Sequence, residues 1–289
     1  MNNQMAYLVG MILGNGEIQR NKNDTTITIE IPHKNLKDDE GREVSIYVKS
    51  SLVDIRNVIE PLLGHSLSIS SNKTVTSISF TKTNEDYAIR EILRFIGSGV
   101  HHSTMTMNDE LFNITTDEKK ELLRGVADVT GYIRKSNSFI KKEAHRVYIE
   151  IPGNWQFVID IANMLKKLDI PVQTINFGHP NFRDPKLEYY NKGNNNYWKK
   201  EHQIKIYANE FLPIGFNIEH KQRSLEKYAK ELLENIDEKI THRFYWETKG
   251  NNRKKQIHPM ENDVSLPKRI RGKHFDSWKL MAKELGYGK

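Results

Sequence analysis

Four carboxylates beside two copies of a short glycine pattern are the residues of this sequence whose type and spacing allow chemistry. Glu17 and Asp128 lie within a few residues of the last glycine of a copy, and Glu30 and Glu150 occupy matching places in the runs that follow. Carboxylate oxygens are ligands that hard cations such as Mg²⁺ prefer, and a bound cation can activate water. Because the sequence has no cysteine, disulfides, Cys-ligated zinc and thiol catalysis are excluded, and any metal site must use oxygen or imidazole ligands.

The glycine pattern indicates an internal duplication. Residues 8–16 and 123–131 are apolar helix-like stretches that each contain two glycines six residues apart. In both cases a strand-like run ending in Ile-Glu-Ile-Pro follows, at residues 29–32 and 149–152. Two landmarks that recur in the same order and at similar spacing predict a duplicated unit of about 115 residues.

The periodicity of apolar residues predicts the same elements in both halves, in the order α-β-β-α-β-β-α. The predicted fold class is therefore α+β, with two pseudo-symmetric units and a C-terminal extension. In the strand at 25–31, Ile27, Ile29 and Ile31 alternate with polar residues and predict one buried face. The predicted helices are 4–13, 51–63, 88–96, 119–127, 155–168 and 224–236, and the predicted strands are 17–20, 25–31, 66–70, 75–80, 131–135, 146–151, 172–177 and 203–207.

Length and charge bound the domain organisation and the class of partner. A chain of 289 residues accommodates two units, predicted at 1–115 and 116–237, and a basic extension at 238–289. The net charge of +7 and the pI of about 9.2 favour a polyanionic partner. No stretch approaches the ~20 apolar residues of a membrane span, and no leader pattern is present. We therefore expect an intracellular protein, cytoplasmic or associated with the nucleoid.

Two further segments combine cations with aromatic residues. The insertion at 179–201, which includes Lys199 and Lys200, has a composition typical of nucleic-acid contacts and also of solvated loops. In the extension, aromatic residues and cations predict phosphate contact or docking on the rest of the chain. His258, Glu261 and His274 offer a metal site as an alternative, but their spacing matches no established ligand pattern.

The two glycine-containing helices, each opening an α-β-β-α-β-β-α unit, resemble the LAGLIDADG family of homing endonucleases in its single-chain form, over residues 4–236. The resemblance implies that the two helices pack side by side, with Gly10, Gly14 and Gly125 permitting close approach. It also implies a monomer whose sheets form a saddle on double-stranded DNA. Two unrelated helices with glycine caps are the alternative, and they explain the ordered repetition poorly.

The resemblance also implies which residues contact DNA. If the isoleucines pack on the helices, the opposite faces of the strands lie in the major groove, where base edges are distinguishable. Residues at the turns and in the insertion would reach phosphates or outer base pairs. The predicted strand contacts are Gln19, Thr26, Thr28, Arg134, Arg146 and Tyr148, and the predicted phosphate contacts are Arg20, Lys22, Lys135, Lys199 and Lys200.

At the catalytic positions this sequence departs from the family. The resemblance implies an acidic residue just before the last glycine of each motif, whereas Asn15 and Thr130 stand there. Both side chains offer an oxygen to Mg²⁺ but no negative charge. We therefore expect displaced carboxylates to contribute, with Asn15, Glu17, Asp128 and Thr130 at the catalytic centre.

The metal ligands expected from the same reasoning are Glu17, Asp128, Glu30 and Glu150. In the family an acid at the position of Asp128 normally has a structural role. For Glu30 and Glu150, a salt bridge to a neighbouring cation is as well supported as metal binding or base reading.

The predicted function is a sequence-specific, Mg²⁺-dependent endonuclease of double-stranded DNA, of the homing or restriction type. A DNA-binding regulator that does not cleave is the alternative, favoured by the absence of the two acids. RNA binding, as in intron-splicing relatives, is a weaker third reading.

Overall fold

The computed structural model describes residues 1–36, 44–97, 99–135, 145–172, 174–179 and 201–235. Lys199, Lys200 and the predicted extension at 238–289 lie outside the described residues. The helices are α1 (Asn3–Asn15), α2 (Val44–Leu63), α3 (Tyr87–Phe95), α4 (Thr116–Thr130), α5 (Trp155–Lys167), α6 (Ala208–Phe211) and α7 (Glu219–Asn235), and short 3-10 helices cover His33–Asn35 and Asp109–Phe112. The strands are β1 (Gly16–Arg20), β2 (Asp24–Pro32), β3 (Ser68–Ser71), β4 (Val75–Thr83), β5 (Gly131–Lys135), β6 (His145–Pro152), β7 (Thr174–His179) and β8 (Glu201–Tyr207).

The predicted α+β class and the order of elements are confirmed in both halves. Several boundaries differ by a few residues, and the largest difference is in α2, which begins at Val44 and not at residue 51. The missed turns contain several β-branched and aromatic residues, which favour strands locally. Tyr47 and Val48 are buried, so packing against the rest of the protein selects the helix over this local preference.

The strands form two four-stranded antiparallel sheets with the same topology. The strand order is β1-β2-β4-β3 in the first sheet and β5-β6-β8-β7 in the second. The registers also correspond, since Gly16 pairs with Ile29 in the first sheet and Gly131 pairs with Ile149 in the second. Glu30 and Glu150 therefore occupy equivalent places. The domain boundaries at residues 115 and 237 stay predictions.

The inner face of each sheet packs on the helices and forms the core. In β2 the three isoleucines at 27, 29 and 31 are buried, Thr26 and Thr28 are partly exposed, and Glu30 is exposed. The predicted alternation in this strand is therefore confirmed. Among the described helices, none combines the length and the apolar character needed to cross a membrane.

Helices α1 and α4 touch through their backbones. A Cβ atom added to Gly10 would lie 2.0 Å from the carbonyl oxygen of Leu122, and one added to Gly125 would lie 2.1 Å from that of Tyr7. Both distances are far inside van der Waals contact, so only glycine fits at these two places. A Cβ at Gly14 would lie 2.8 Å from a methyl group of Val129. The three glycines thus lie at the helix interface and set the spacing between the halves.

Candidate nucleic-acid interface

The first strands of the two sheets, β1 and β5, start next to each other. We call the place where α1 meets β1 (Asn15–Gly16) and α4 meets β5 (Thr130–Gly131) the junction. Helix α1 ends at Asn15 and runs directly into β1, and α4 ends at Thr130 and runs directly into β5. The two helix ends lie side by side, because a Cβ on Gly14 would come within 3.2 Å of the Thr130 methyl group. The junction therefore places the residues that follow it, Glu17 and Tyr132, near the meeting point of the two halves.

The polar side chains at the helix ends bond to the protein backbone. The Asn15 side-chain amide donates to the carbonyl oxygen of Glu30 at 2.7 Å, and the Thr130 hydroxyl donates to that of Val126 at 2.6 Å. Both residues are buried. Asn15 thereby fixes the end of β2 to the end of α1, and Thr130 closes the last turn of α4. A catalytic role for either residue stays a prediction.

Asp128, which was predicted as a metal ligand, lies in the interior of the protein. Its carboxylate is fully buried and accepts hydrogen bonds from the Tyr7 hydroxyl at 2.7 Å and the Asn217 backbone amide at 3.0 Å. Burial raises the pKa of Asp128, and the nearby ammonium of Lys221 opposes this shift. The carboxylate ties α1 and α4 to the start of α7, away from any surface that DNA could reach.

Lys221 completes this buried network, and no sequence pattern indicated its role. Its ammonium donates to the carbonyl oxygens of Asp128 and Gly131 at 2.8 Å each and to that of Ala127 at 3.3 Å. These carbonyls belong to the last turn of α4 and to Gly131, which directly follows it, and cations are favoured at the C-terminal end of a helix. Burial lowers the pKa of Lys221 to about 8. The residue holds the end of α4 where β5 begins.

Glu17 is exposed on the outer face of the first sheet. It accepts a hydrogen bond from the Gln19 side-chain amide at 3.3 Å. The edge of β1 that does not pair with β2 contacts the segment around residue 100. The Ile18 amide donates to the carbonyl oxygen of Val100 at 2.7 Å, and Glu17 forms an antiparallel β-bridge with His101. The segment around His101 thus lies beside Glu17 at the edge of the sheet nearest the junction.

Two histidines that sequence reasoning missed lie in this edge segment. The rings of His101 and His102 are 3.9 Å apart, and Nδ1 of His101 lies 2.8 Å from the Ser103 hydroxyl. Burial and the neighbouring His101 lower the pKa of His102 to about 4, so His102 is neutral at neutral pH. The Asn154 side chain donates to the carbonyl oxygens of His102 and Met105 at 2.7 Å each, which ties the segment to the second half.

Small hydroxyl side chains cover most of the outer face of the first sheet. Thr26 is 2.9 Å from Thr81 between their hydroxyl oxygens, and Thr28 lies next to it on the same face. Glu17, Gln19 and Glu30 are longer exposed groups on this face. Arg20 is exposed at the end of β1, and Lys22 is exposed in the turn that follows. Gln19, Thr26 and Thr28 therefore lie on one side of the sheet, whereas Arg20 and Lys22 lie at its end.

Aromatic rings and cations cover the outer face of the second sheet. Tyr132 and Tyr148 stack with 5.3 Å between ring centroids, and the Arg134 guanidinium lies 4.7 Å from the centroid of Tyr148. Arg146 lies 5.3 Å from the ring of Tyr207. Arg134 is exposed, whereas Arg146 and Tyr148 are buried. Arg146 and Tyr148 were predicted as direct DNA contacts. In this structure Arg146 packs on Tyr207, and Tyr148 packs on Tyr132 and Arg134.

Glu150, which was also predicted as a metal ligand, contacts Tyr132, Gln203 and Lys34 in the structure. It accepts hydrogen bonds from the Tyr132 hydroxyl at 2.8 Å and the Gln203 side chain at 3.0 Å, and it forms an ion pair with Lys34 at 2.8 Å. The carboxylate is only 5% exposed. The salt bridge that the sequence left open is thus the observed state of Glu150, and its cation comes from the first half of the chain.

Glu17 and Glu30 remain as exposed carboxylates on one outer face. Glu17 pairs with Thr28, so Glu30 is its diagonal neighbour on the adjacent strand. Diagonal neighbours are ~7–8 Å apart between Cα atoms, within reach of long side chains. In the part of the chain that the structure describes, no group of three or more His, Asp or Glu side chains has the geometry of a metal site. Any cation at Glu17 and Glu30 would take its further ligands from substrate or water.

The remaining predicted contact in the second half is Lys135. It ends β5 and pairs with His145 at the start of β6, which corresponds to the place of Arg20 in the first sheet.

Comparisons with known proteins give structural neighbours but no sequence family. No family model matches the chain, and no curated protein matches it. The structural neighbours are LAGLIDADG homing endonucleases and WhiA. The homing endonuclease I-DmoI in complex with DNA and Ca is 13% identical, covers 73% of this chain and 86% of its own, and has a TM-score of 0.39.

Two further neighbours have similar scores. The LAGLIDADG homing endonuclease I-GzeII in complex with its DNA target is 9% identical, covers 81% of this chain and 91% of its own, and has a TM-score of 0.37. Full-length DUF199/WhiA from Thermatoga maritima is 12% identical, covers 81% of this chain and 61% of its own, and has a TM-score of 0.43.

Proposed function

We propose that this protein is a sequence-specific, metal-dependent endonuclease that binds duplex DNA along the outer faces of its two sheets. The observation that carries the proposal is the shared junction, from which two sheets of identical topology extend with polar outer faces. Two-stranded and larger antiparallel ribbons fit the major groove, where each base pair is distinguishable. Because one chain supplies both sheets, a monomer is sufficient to cover one continuous site.

The predicted contacts divide into groups that fix position and groups that read bases. Arg20 and Lys22 at the end of the first sheet would contact phosphates, and Lys135, which ends the equivalent strand of the second sheet, would do the same. Gln19 and Arg134 occupy equivalent outward positions, and both side chains can make bidentate contacts with bases. The net charge of +7 favours association with DNA and makes it sensitive to salt.

Glu17 and Glu30 are the residues of the described chain that would hold a divalent cation such as Mg²⁺ at the junction. Both carboxylates are exposed on the face assigned to DNA, where an unpaired negative charge beside phosphates is otherwise unfavourable. A cation bound there supplies charge stabilisation at the phosphate and activates water. Asn15 holds the backbone of Glu30, and His101 lies beside Glu17 with its ring held by Ser103.

DNA binding without cleavage is the second candidate function. It is favoured by the two helix ends, where Asn15 and Thr130 replace acids, and by the burial of Asp128 in a structural network. In that case the two sheets would bind DNA in the same manner, and Glu17 and Glu30 would contact bases or cations without reaction.

Selection from a randomised duplex library separates the two candidates. The full-length protein is incubated with the library and Mg²⁺, and both the bound and the cleaved molecules are sequenced. Recurrent breaks within the bound sequence support the nuclease. Enrichment of one sequence with no breaks in Mg²⁺ or Mn²⁺ supports the binder, and no enrichment at all contradicts both.

Variants of the two carboxylates test the site. We expect Glu17→Gln and Glu30→Gln each to lower the cleavage rate at least ~100-fold, since removing a metal ligand forfeits several kcal/mol of charge stabilisation. Asp117→Asn makes the same charge change at the exposed N-terminal end of α4, ~20 Å from the junction, and serves as the matched control. Equal rates in all four proteins would move the catalytic site elsewhere.

A further inference from the structure

The two halves differ at the positions that flank the junction. The residue after the first strand's glycine is Glu17 in the first sheet and Tyr132 in the second. The residue after the paired isoleucine is a glutamate in both sheets, but Glu30 is exposed whereas Glu150 is buried. The counterpart of Glu17 in the second half is thus a tyrosine, and the counterpart of Glu30 is a glutamate that is shielded from solvent.

The second half uses its remaining carboxylate to hold its own surface together. The Tyr132 hydroxyl, which stands where the first half has a carboxylate, donates to Glu150 at 2.8 Å. Lys34 neutralises the charge of Glu150 from across the junction, also at 2.8 Å. To bind a cation on DNA, Glu150 would have to lose this ion pair and the bonds from Tyr132 and Gln203. Because Glu150 itself is buried, the loss of these partners would leave a buried charge without compensation, which is costly.

Cleavage of both strands of a duplex needs a reaction centre for each of two phosphates. In the first half, Glu17 and Glu30 are diagonal neighbours on an exposed face, and His101 stands beside Glu17 on the same edge. At the equivalent places of the second half, the described residues offer a tyrosine and a neutralised glutamate. The arrangement of carboxylates is therefore complete on one side of the junction only.

We propose that this protein nicks one strand of its duplex site, at the phosphate that lies over the first sheet. The inference rests on the proposed endonuclease function and adds strand specificity to it. In the reaction the oxygen of water forms a bond to phosphorus, and the bond from phosphorus to one deoxyribose oxygen breaks. The water loses a proton to solvent, the departing oxygen takes one up, and no oxidant or reductant is needed. The strand over the second sheet stays intact because the described side chains of that sheet present no exposed carboxylate to it.

Strand-resolved cleavage tests the proposal. A duplex carrying the selected site is labelled with a different dye on each strand and incubated with the full-length protein and Mg²⁺. We expect one strand to be cut at least ~100-fold faster than the other, which corresponds to the loss of one set of metal ligands. Rates within tenfold of each other on the two strands overturn the inference but leave the endonuclease function standing. Binding with no cut in either strand overturns both.

Counting bound cations gives a readout that does not depend on activity. Mn²⁺ is titrated into the protein–DNA complex, and the bound ion is measured by electron paramagnetic resonance for the wild type, Glu17→Gln and Glu150→Gln. We expect Glu17→Gln to lose one bound ion per complex and Glu150→Gln to lose none. Loss of an ion from Glu150→Gln would show that the second half also holds a cation, and it would overturn the proposal. Retention of every ion by Glu17→Gln would overturn it as well.

Discussion

The outer faces of the two sheets present different chemistry on the same framework. Equivalent positions pair a short hydroxyl side chain in the first sheet with a long cationic, amide or aromatic side chain in the second. The pairs are Thr26 and Arg146, Thr28 and Tyr148, Ser77 and Gln203, Ser79 and Lys205, and Thr81 and Tyr207. The first face is open around its carboxylates, whereas the second is stiffened by stacked rings and buried polar groups.

The inner faces, by contrast, are nearly alike. Ile29 and Ile31 correspond to Ile149 and Ile151, and all four are buried. Packing against the helices therefore needs the same apolar shape in both halves, and the outer positions are free to differ. The two halves therefore share a fold, and the difference between their outer faces is the basis of the proposed division of roles, with carboxylates on the first face and cations on the second.

The largest effect is expected where the two halves join. Replacing Gly10 with alanine would place a methyl group 2.0 Å from the carbonyl oxygen of Leu122, so α1 and α4 would have to separate. We expect Gly10→Ala to lower the free energy of unfolding by more than ~4 kcal/mol, measured by urea denaturation, because backbone atoms cannot yield as side chains do. Gln4→Ala, at an exposed position of the same helix, should change it by less than ~0.5 kcal/mol. Equal stability of both variants would contradict the close contact.

The next largest expected effect is a difference in stability between variants of the two outer faces. Tyr148 is buried and stacked on Tyr132, whereas the equivalent Thr28 is partly exposed. We expect Tyr148→Ala to cost ~3 kcal/mol of stability, as other buried aromatic truncations do. Thr28→Ala should cost less than ~1 kcal/mol in the same urea experiment. Similar losses in both variants would show that the two faces are equally packed.

One contribution to the pH dependence of stability should come from the second sheet and have no counterpart in the first sheet. His202 is fully buried in β8, and burial lowers its pKa to about 3, whereas the equivalent residue in the first sheet is Thr76, which does not titrate. The unfolded chain gains this proton near pH 6.5 and the folded protein does not, so stability falls as the pH drops below 6.5.

Denaturation at two pH values measures this contribution. We expect the fall in the free energy of unfolding from pH 7 to pH 5 to be smaller by ~2 kcal/mol in His202→Leu than in the wild type. His102, with a pKa of about 4, titrates in both proteins and cancels in the difference. A fall of the same size in both proteins would contradict a neutral His202.

The smallest expected effect is a difference in DNA affinity between variants of one pair of equivalent residues. Gln19 and Arg134 both point outward from the first strand of their sheets. We expect Arg134→Ala to weaken binding about tenfold and to reduce the slope of log affinity against log salt by ~1, since it removes a cation from the DNA-facing surface. Gln19→Ala should leave the slope unchanged, and an equal change of slope in both would contradict a division of roles between the faces.

Most of the fold could be predicted from the sequence because it follows from local patterns. The apolar periodicity of residues 4–13 and the alternation in 25–31 depend only on neighbouring residues, and both were confirmed. The start of α2 was missed because its β-branched residues favour strands, and only packing shows otherwise.

The site was harder to predict because the residues that contact each other there are far apart in the sequence. Lys34 and Glu150 are separated by 116 residues, and Tyr7 and Asp128 by 121. No spacing rule links such pairs, so the sequence could identify the carboxylates but not which of them are already engaged. Lys221 gave no signal either, since a lysine in an amphipathic helix is usually solvated.

Footprinting of the selected duplex tests most directly whether both sheets lie on DNA. Hydroxyl-radical cleavage of the protein–DNA complex should show two protected stretches about one helical turn apart on a continuous duplex of ~20 base pairs, with the cut between them. Arg134→Ala should weaken protection of one stretch only. A single protected stretch, or a preference for single-stranded DNA or RNA over the duplex, would contradict the account.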